Sequence, residues 1–172
     1  GNAGSDYLSY QNSSSAVIIN MSSSSYSGGD ATGDTVNSDI ENIIGSDFND
    51  NITGNTSDNV MLGGDGNDYI YGGAGNDSID GQDGNDIIFG QTGDNTLVGG
   101  IGNDIIIGDS GEDVVFAGDG DDIIITQGGA DSIDGGSGTD IAYYSSSSVG
   151  VLVDLENNVF SNGDAAGDTL TS

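Results

Sequence analysis

Oxygen-bearing side chains recur along this chain every nine residues. They are Asp50, Asn59, Asp68, Asp77, Asp86, Asn95, Asp104, Asp113, Asp122, Asp131 and Asp140. Carboxylate and amide oxygens at a fixed interval are ligands for hard cations, which also accept backbone carbonyls. The rest of the composition points the same way. The 172 residues hold 29 Asp and Glu and no Lys, Arg or His, for a formal charge of −29. No cationic side chain exists to pair with them. Such a chain repels itself and needs cations in order to collapse. A hard divalent ion such as Ca²⁺ suits that donor set.

The same composition excludes several function classes. Nothing here neutralises phosphate, so nucleic acid and anionic membrane surfaces are not partners. Without Cys there is no disulfide, thiolate metal site or thiol redox chemistry. No stretch approaches the roughly 18 apolar residues of a membrane-spanning helix. The opening GNAGSDYLSY has neither a basic nor an apolar segment, so it does not read as a signal peptide. The nine position-6 Asp residues are committed to the nine-residue ladder, and short repeats offer no deep pocket, so the segment is read as non-catalytic.

An element must stack these oxygens. Residues 45–143 divide into eleven nonapeptides without a slip, among them GGDGNDYIY from Gly63, GGAGNDSID from Gly72 and GGIGNDIII from Gly99. Position 1 is Gly in nine blocks, position 4 is Gly in nine, and position 8 is apolar in all eleven. A fixed period of this kind marks a repeat architecture. Positions 1–6 are small and polar and read as turn; positions 7–9 are β-branched or aromatic and read as strand. Alternation sends position 8 inward and positions 7 and 9 outward. Two blocks then make a coil, and each strand pairs with the strand two blocks away. Eleven blocks give five and a half coils, roughly 26 Å of roll at the usual strand spacing. The resulting core is thin, so something besides apolar burial must hold the fold.

These blocks resemble the GGxGxDxUx nonapeptide of the RTX family. The resemblance implies an all-β fold: a right-handed parallel β-roll, or β-solenoid, with two nonapeptides per coil and short β linker segments. It also implies Ca²⁺ between successive turns, held by position-6 side chains and turn carbonyls. Carried onto this sequence, that gives two rows of ligands. One row is Asp50, Asp68, Asp86, Asp104, Asp122 and Asp140. The other is Asn59, Asp77, Asn95, Asp113 and Asp131. The gaps between turns set a ceiling of nine ions. The second row is expected to bind fewer or more weakly, because Asn keeps an oxygen but loses a charge. Ser57 and Thr126 also replace Gly there.

Residues 1–38 align without a gap on residues 135–172, with 15 identities. The chain thus reads as one 134-residue superrepeat and the start of another, taken from a longer tandem array. Residues 1–44 are read as the end of a preceding roll plus a linker and an opening strand. Residues 45–143 are the roll, and 144–172 begin the next unit. Strands are expected at Ala16–Met21, Asp39–Ile44 and Val149–Leu155, with turns at Ser22–Ser25 and Gly28–Asp34 and no helix. The acidic loops Asp30–Asp34 and Asp164–Asp168 are either solvated turns or additional ion sites. Glu41 is read as a surface carboxylate.

The function expected is a calcium-binding structural module of a secreted bacterial surface, adhesin, S-layer, matrix or filament protein. The resemblance implies type I secretion and folding in extracellular Ca²⁺. The alternative is a non-catalytic accessory domain of a secreted protease, lipase, epimerase or toxin. An ice- or carbohydrate-binding face is disfavoured, since position 3 carries no regular Thr. One sheet places Tyr69, Tyr71, Ile87, Phe89, Ile105, Ile107, Ile123, Ile125, Ile141 and Tyr143 outward. An apolar strip of that length marks an interface. The linker strands around Val17 and Val151, or a neighbouring chain in self-association, are its expected covers.

Overall fold

A computed structural model describes residues 4–36, 40–144, 152–154, 159–161 and 168–171. Four strands precede the regular repeats: β1 (Tyr7–Ser9), β2 (Ile18–Asn20), β3 (Ser25–Ser27) and β4 (Asn42–Ile44). The nonapeptides supply β5 (Asn51–Thr53), β6 (Val60–Asp65), β7 (Tyr69–Ala74), β8 (Ser78–Asp83), β9 (Ile87–Thr92) and β10 (Thr96–Ile101). They continue with β11 (Ile105–Ser110), β12 (Val114–Asp119), β13 (Ile123–Gly128), β14 (Ser132–Ser137) and β15 (Ile141–Ala142). Last come β16 (Leu152–Asp154), β17 (Val159–Ser161) and β18 (Thr169–Thr171).

Consecutive blocks feed opposite sheets. The first sheet runs β1-β4-β6-β8-β10-β12-β14-β18, and the second β15-β13-β11-β9-β7-β5-β2-β3. Within the roll every pairing is parallel and joins residues eighteen apart, as in Ile70↔Ile88 and Ile88↔Ile106, except at Asp109↔Thr126, where the register shifts by one. The fold is therefore an all-β parallel solenoid with two nonapeptides per coil. Position 8 fills its centre. From Ile52 to Ile133 these side chains are at most 2% exposed, and Ala142 at the last coil is half-buried. Tyr10, Val17, Ile19 and Ile43 extend the same core into the linker coils.

The strands are longer than predicted. From β6 to β14 each spans six residues, positions 7 to 3 of the next block, and the turn shrinks to positions 4–6. The reason lies at position 1, which also points inward and is buried at Gly63, Gly72 and Gly81. Two-residue alternation simply continues through it. Position 4 is where the chain turns, and there Gly adopts φ of +118° at Gly66 and +144° at Gly120. Only Gly visits that region without strain.

The linker departs from expectation in three places. The predicted Ala16–Met21 strand is β2, but Ser25 leaves the Ser turn to enter β3, which returns antiparallel onto β2. Asn20 Oδ1 closes that turn by accepting from the Ser22 hydroxyl and the Ser23 N–H. The acidic loop contains a single 3-10 turn, Gly29–Ala31, where no helix was expected. Ala31 is fully buried and anchors it to the core. The Asp39–Ile44 strand is shortened to β4, with residues 37–39 outside the described set. The Val149–Leu155 strand appears as β16, paired antiparallel with β17; residues 149–151 and 155 lie outside the described set.

The Val17 strand does not cover the apolar strip. It pairs with β5 as a further coil of the second sheet, with Val17 and Ile19 inside the core. Burial of two more apolar side chains within the stack outweighs covering a face that is already partly shielded. Ile87, Phe89, Ile105 and Ile107 are half-buried by their own ladder neighbours. Tyr71 and Phe89 stack with ring centroids 4.6 Å apart. Tyr69, Ile123, Ile141 and Tyr143 stay exposed. In saturating calcium, Ile88→Ala is expected to cost about 2–5 kcal/mol in denaturant unfolding. Ile123→Ala on the outer ladder is expected to cost about 1 kcal/mol or less.

Candidate metal centre

The position-6 side chains leave the turn and face along the roll axis. Each accepts, through Oδ1, the backbone N–H of position 6 one coil earlier. In the first row Asp50, Asp68, Asp86 and Asp104 donate to Asp68, Asp86, Asp104 and Asp122 at 2.7–2.8 Å. Asp122 donates to Asp140 at 3.1 Å. In the second row Asn59, Asp77, Asn95 and Asp113 donate to Asp77, Asn95, Asp113 and Asp131 at 2.9 Å. The spacing that made these residues ligand candidates thus also makes them a structural ladder.

That ladder occupies only half of each carboxylate. Oδ2 of Asp68, Asp77, Asp86, Asp104, Asp113, Asp122 and Asp131 is buried with no hydrogen-bond partner. An isolated buried carboxylate oxygen is costly, and it calls for a proton or a cation. For Asp68, Asp77, Asp86, Asp104 and Asp113 that oxygen looks onto the position-1 glycine of its own block, whereas Ala117 and Thr126 take that place in the blocks of Asp122 and Asp131. A Cβ added at Gly72 would sit 2.5 Å from Asp77 Oδ2 and 2.6 Å from the Gly90 carbonyl oxygen. The equivalent atoms crowd Gly63, Gly81 and Gly99. Gly72 has no left-handed φ, so its role is to leave space, where the sequence suggested turn flexibility. The space is a cradle walled by one carboxylate oxygen and one carbonyl oxygen of the next coil. Among the described residues no three acidic side chains converge. A cation here must therefore take backbone carbonyls beside the carboxylates, which is ordinary for Ca²⁺.

The family model of the RTX calcium-binding nonapeptide repeat matches residues 35–70, 44–79, 80–115, 89–124 and 107–142. Together these spans cover more than half of the chain. The chain belongs to the RTX calcium-binding repeat family. No curated protein matches it.

The RTX cradles differ along the roll in ways that bear on the eleven predicted ligands. Asp50 is satisfied by the protein itself: Oδ2 accepts from the Ser46 N–H at 2.5 Å, and Oδ1 from the Ser46 hydroxyl and the Val17 N–H. Asp140, at the last coil, is half-buried. Asn59 Nδ2 donates to the Glu41 carbonyl at 2.7 Å, and Asn95 Nδ2 to the Gly93 carbonyl at 3.1 Å. At Gly90 the cradle is faced by Asn95 Nδ2, a donor, in place of a carboxylate oxygen. Thr126 takes the glycine position in the block of Asp131, and its buried hydroxyl, like Asp131 Oδ2, has no hydrogen-bond partner among the described residues.

Two ladder members, Glu41 and Asp168, were not read from the sequence as such. Glu41 is no mere surface charge: its Oε2 accepts the Asp6 N–H at 3.0 Å, the bond an Asp makes elsewhere. Its longer side chain bridges a coil whose turn departs from the nonapeptide. Asp168 adds a further rung to the second row, accepting the Asp131 N–H at 2.8 Å. The sequence held a signal, because Asp168-Thr-Leu-Thr matches positions 6–9 of a block. Asp34, in the other acidic loop, accepts from the Tyr10 hydroxyl instead. Position 5 forms an outer ladder of its own, as in Asn67 N–H to Asn49 Oδ1 and Asn85 N–H to Asn67 Oδ1.

Burial pushes the Asp68 carboxyl up to about 7 and those of Asp77, Asp86, Asp104 and Asp131 up to about 6. Asp113 and Asp122 are also raised, by burial first. The ladder N–H bonds oppose this, and neighbouring carboxylates add to it. Against an ordinary value of 3.8, the ion-free roll binds more protons than the unfolded chain from about pH 4 to about pH 7. Its stability must therefore fall as pH rises through that window. In chelator, the β signal in circular dichroism is expected to be stronger at pH 5 than at pH 7.5. The calcium midpoint is expected to move the opposite way, needing more ion at pH 5, because protons compete for the same oxygens. The cradle has its own check. Gly72→Ala is expected to weaken calcium binding about tenfold or more. Gly128→Ala, where nothing lies within 4 Å of the added Cβ, should leave it unchanged by calorimetry.

Proposed function

We propose that this RTX chain is a structural module of a secreted bacterial surface, adhesin, S-layer or matrix protein, which folds on meeting extracellular Ca²⁺. The observation that carries the calcium dependence is the set of seven buried, unpartnered Asp Oδ2 atoms in a chain of charge −29. Ca²⁺ would supply positive charge and a coordination centre to those oxygens. In the first row Asp68, Asp86, Asp104 and Asp122 would hold it together with position-1 carbonyls. In the second row Asp77, Asp113 and Asp131 would do so. Asp50, Asp140, Asn59 and Asn95 complete the rows as weaker or terminal members. RTX repeats are typical of secreted bacterial proteins, which supports an ion supply outside the cell.

The surface-module reading is supported by the 134-residue superrepeat. An accessory roll attached to one enzyme has no need of tandem related units. A rod that spans distance does, since solenoid repeats add length one unit at a time.

Circular dichroism with and without chelator at pH 7.5 and low salt tests the core of this reading. Calcium is expected to convert a largely unfolded chain into a β-rich one. A strong β spectrum persisting in excess chelator would sink it. The rows supply a sharper check. Asp86→Ala is expected to reduce calcium affinity more than Asn95→Ala, and equal losses would refute the assignment of rows.

A further inference from the structure

The superrepeat places the same strand position twice in this chain, and the two copies use opposite edges. Residues 7–9 correspond to residues 141–143 at an offset of 134. The first copy, β1, is bonded to β4, which follows it in the chain. Tyr10 N–H donates to the Ile44 carbonyl at 2.8 Å, and Asn42 N–H to the Asp6 carbonyl at 3.1 Å. The second copy, β15, is bonded to β13, which precedes it. Ile141 N–H donates to the Asp122 carbonyl at 2.9 Å, and Tyr143 N–H to the Ile124 carbonyl at 2.8 Å. Translated to one copy, the upstream bonds use the amides of 141 and 143. The downstream bonds use the amide of 144 and the carbonyl of 140. Alternate peptide groups of an extended strand point to opposite edges, so one strand can make both sets together.

Two features of the linker match between the copies among the described residues. Tyr10 donates its hydroxyl to Asp34 Oδ2 at 2.8 Å, and Tyr144 donates to Asp168 Oδ2 at 2.8 Å. The hairpin keeps its register too, with Ile19↔Tyr26 in one copy and Val153↔Phe160 in the other. The described residues of the two copies thus fold equivalently, and the edge that β1 gives to β4 is the edge that β15 leaves open among the described residues.

We infer that the open edge of β15 is a docking site for the β4 strand of a following 134-residue unit, so that successive rolls share one strand and one sheet runs on unbroken. This rests on the tandem reading of the superrepeat. The opposite sheet is not shared: there β18 closes the upstream roll on β14, and the β2–β3 hairpin closes the downstream roll on β5. Because β1 lies in the first sheet and β15 in the second, the second sheet of one unit becomes the first sheet of the next. The odd number of nonapeptides, eleven, produces this exchange.

The test extends the chain by a second copy of residues 39–172 after Ser172, which continues the period. Amide exchange is then read at residues 141–144 in both chains with saturating Ca²⁺. In the 172-residue chain, Ile141 and Tyr143 should be protected, and Ala142 and Tyr144 should exchange freely. In the extended chain, Ala142 and Tyr144 should slow by about tenfold or more. Unchanged exchange at those two amides, with calcium taken up by both rolls in calorimetry, overturns the shared strand and leaves the calcium reading standing. No calcium uptake by either chain overturns the calcium reading instead.

Discussion

Everything in this molecule depends on a half-satisfied carboxylate. Position 6 gives one oxygen to the backbone of the neighbouring coil and buries the other without a partner. The first oxygen is structural, since it ties each turn to the next. The second is a liability until something positive reaches it, because a desolvated charge costs far more than a hydrogen bond returns. The two cannot be separated, as they belong to one rigid group. A coil that stacks must also bury an oxygen, and a calcium-binding repeat turns that liability into a site. On the function proposed above, folding and ion binding would be one process.

The rest of the nonapeptide follows from making room for this arrangement. Position 8 gives an apolar interior a single side chain thick, enough to define inside and outside. Position 1 must stay small, because a carboxylate oxygen and a carbonyl converge on the space a Cβ would take. Position 4 must turn with positive φ. Where the pattern lapses, the substitutions are chemically consistent. Asn95 turns a donor into the cradle, and Ser46 satisfies Asp50 at the end of its row. Such lapses mark the places where a charge needs less compensation from a cation.

The linkers obey the same logic with other residues. Glu41 reaches across a coil that an Asp could not span, and Asp168 adds a rung beyond the last regular strand of its sheet. Tyr10 and Tyr144 each clasp an Asp of the acidic loop, and burial with that hydrogen bond raises both phenols well above their ordinary value. The clasp fixes the length of the detour between one roll and the next.

The sequence alone determined the repeat, its phase, the inward row from Ile52 to Ala142 and the two rows of position-6 oxygens. These are legible because period-nine identity and two-residue alternation are local: each residue type is dictated by its own place in the coil. The sequence did not reveal why position 1 is Gly, since the atoms that exclude a Cβ there come from the next coil. Nor did it reveal the ladder roles of Glu41 and Asp168 or the fate of the Val17 strand. Their partners lie 35, 37 and 33 residues away, across segments that break the period. Only the tertiary structure decided those, because which coil a linker strand joins depends on which sheet edge is left open. That edge exists only once the roll has formed.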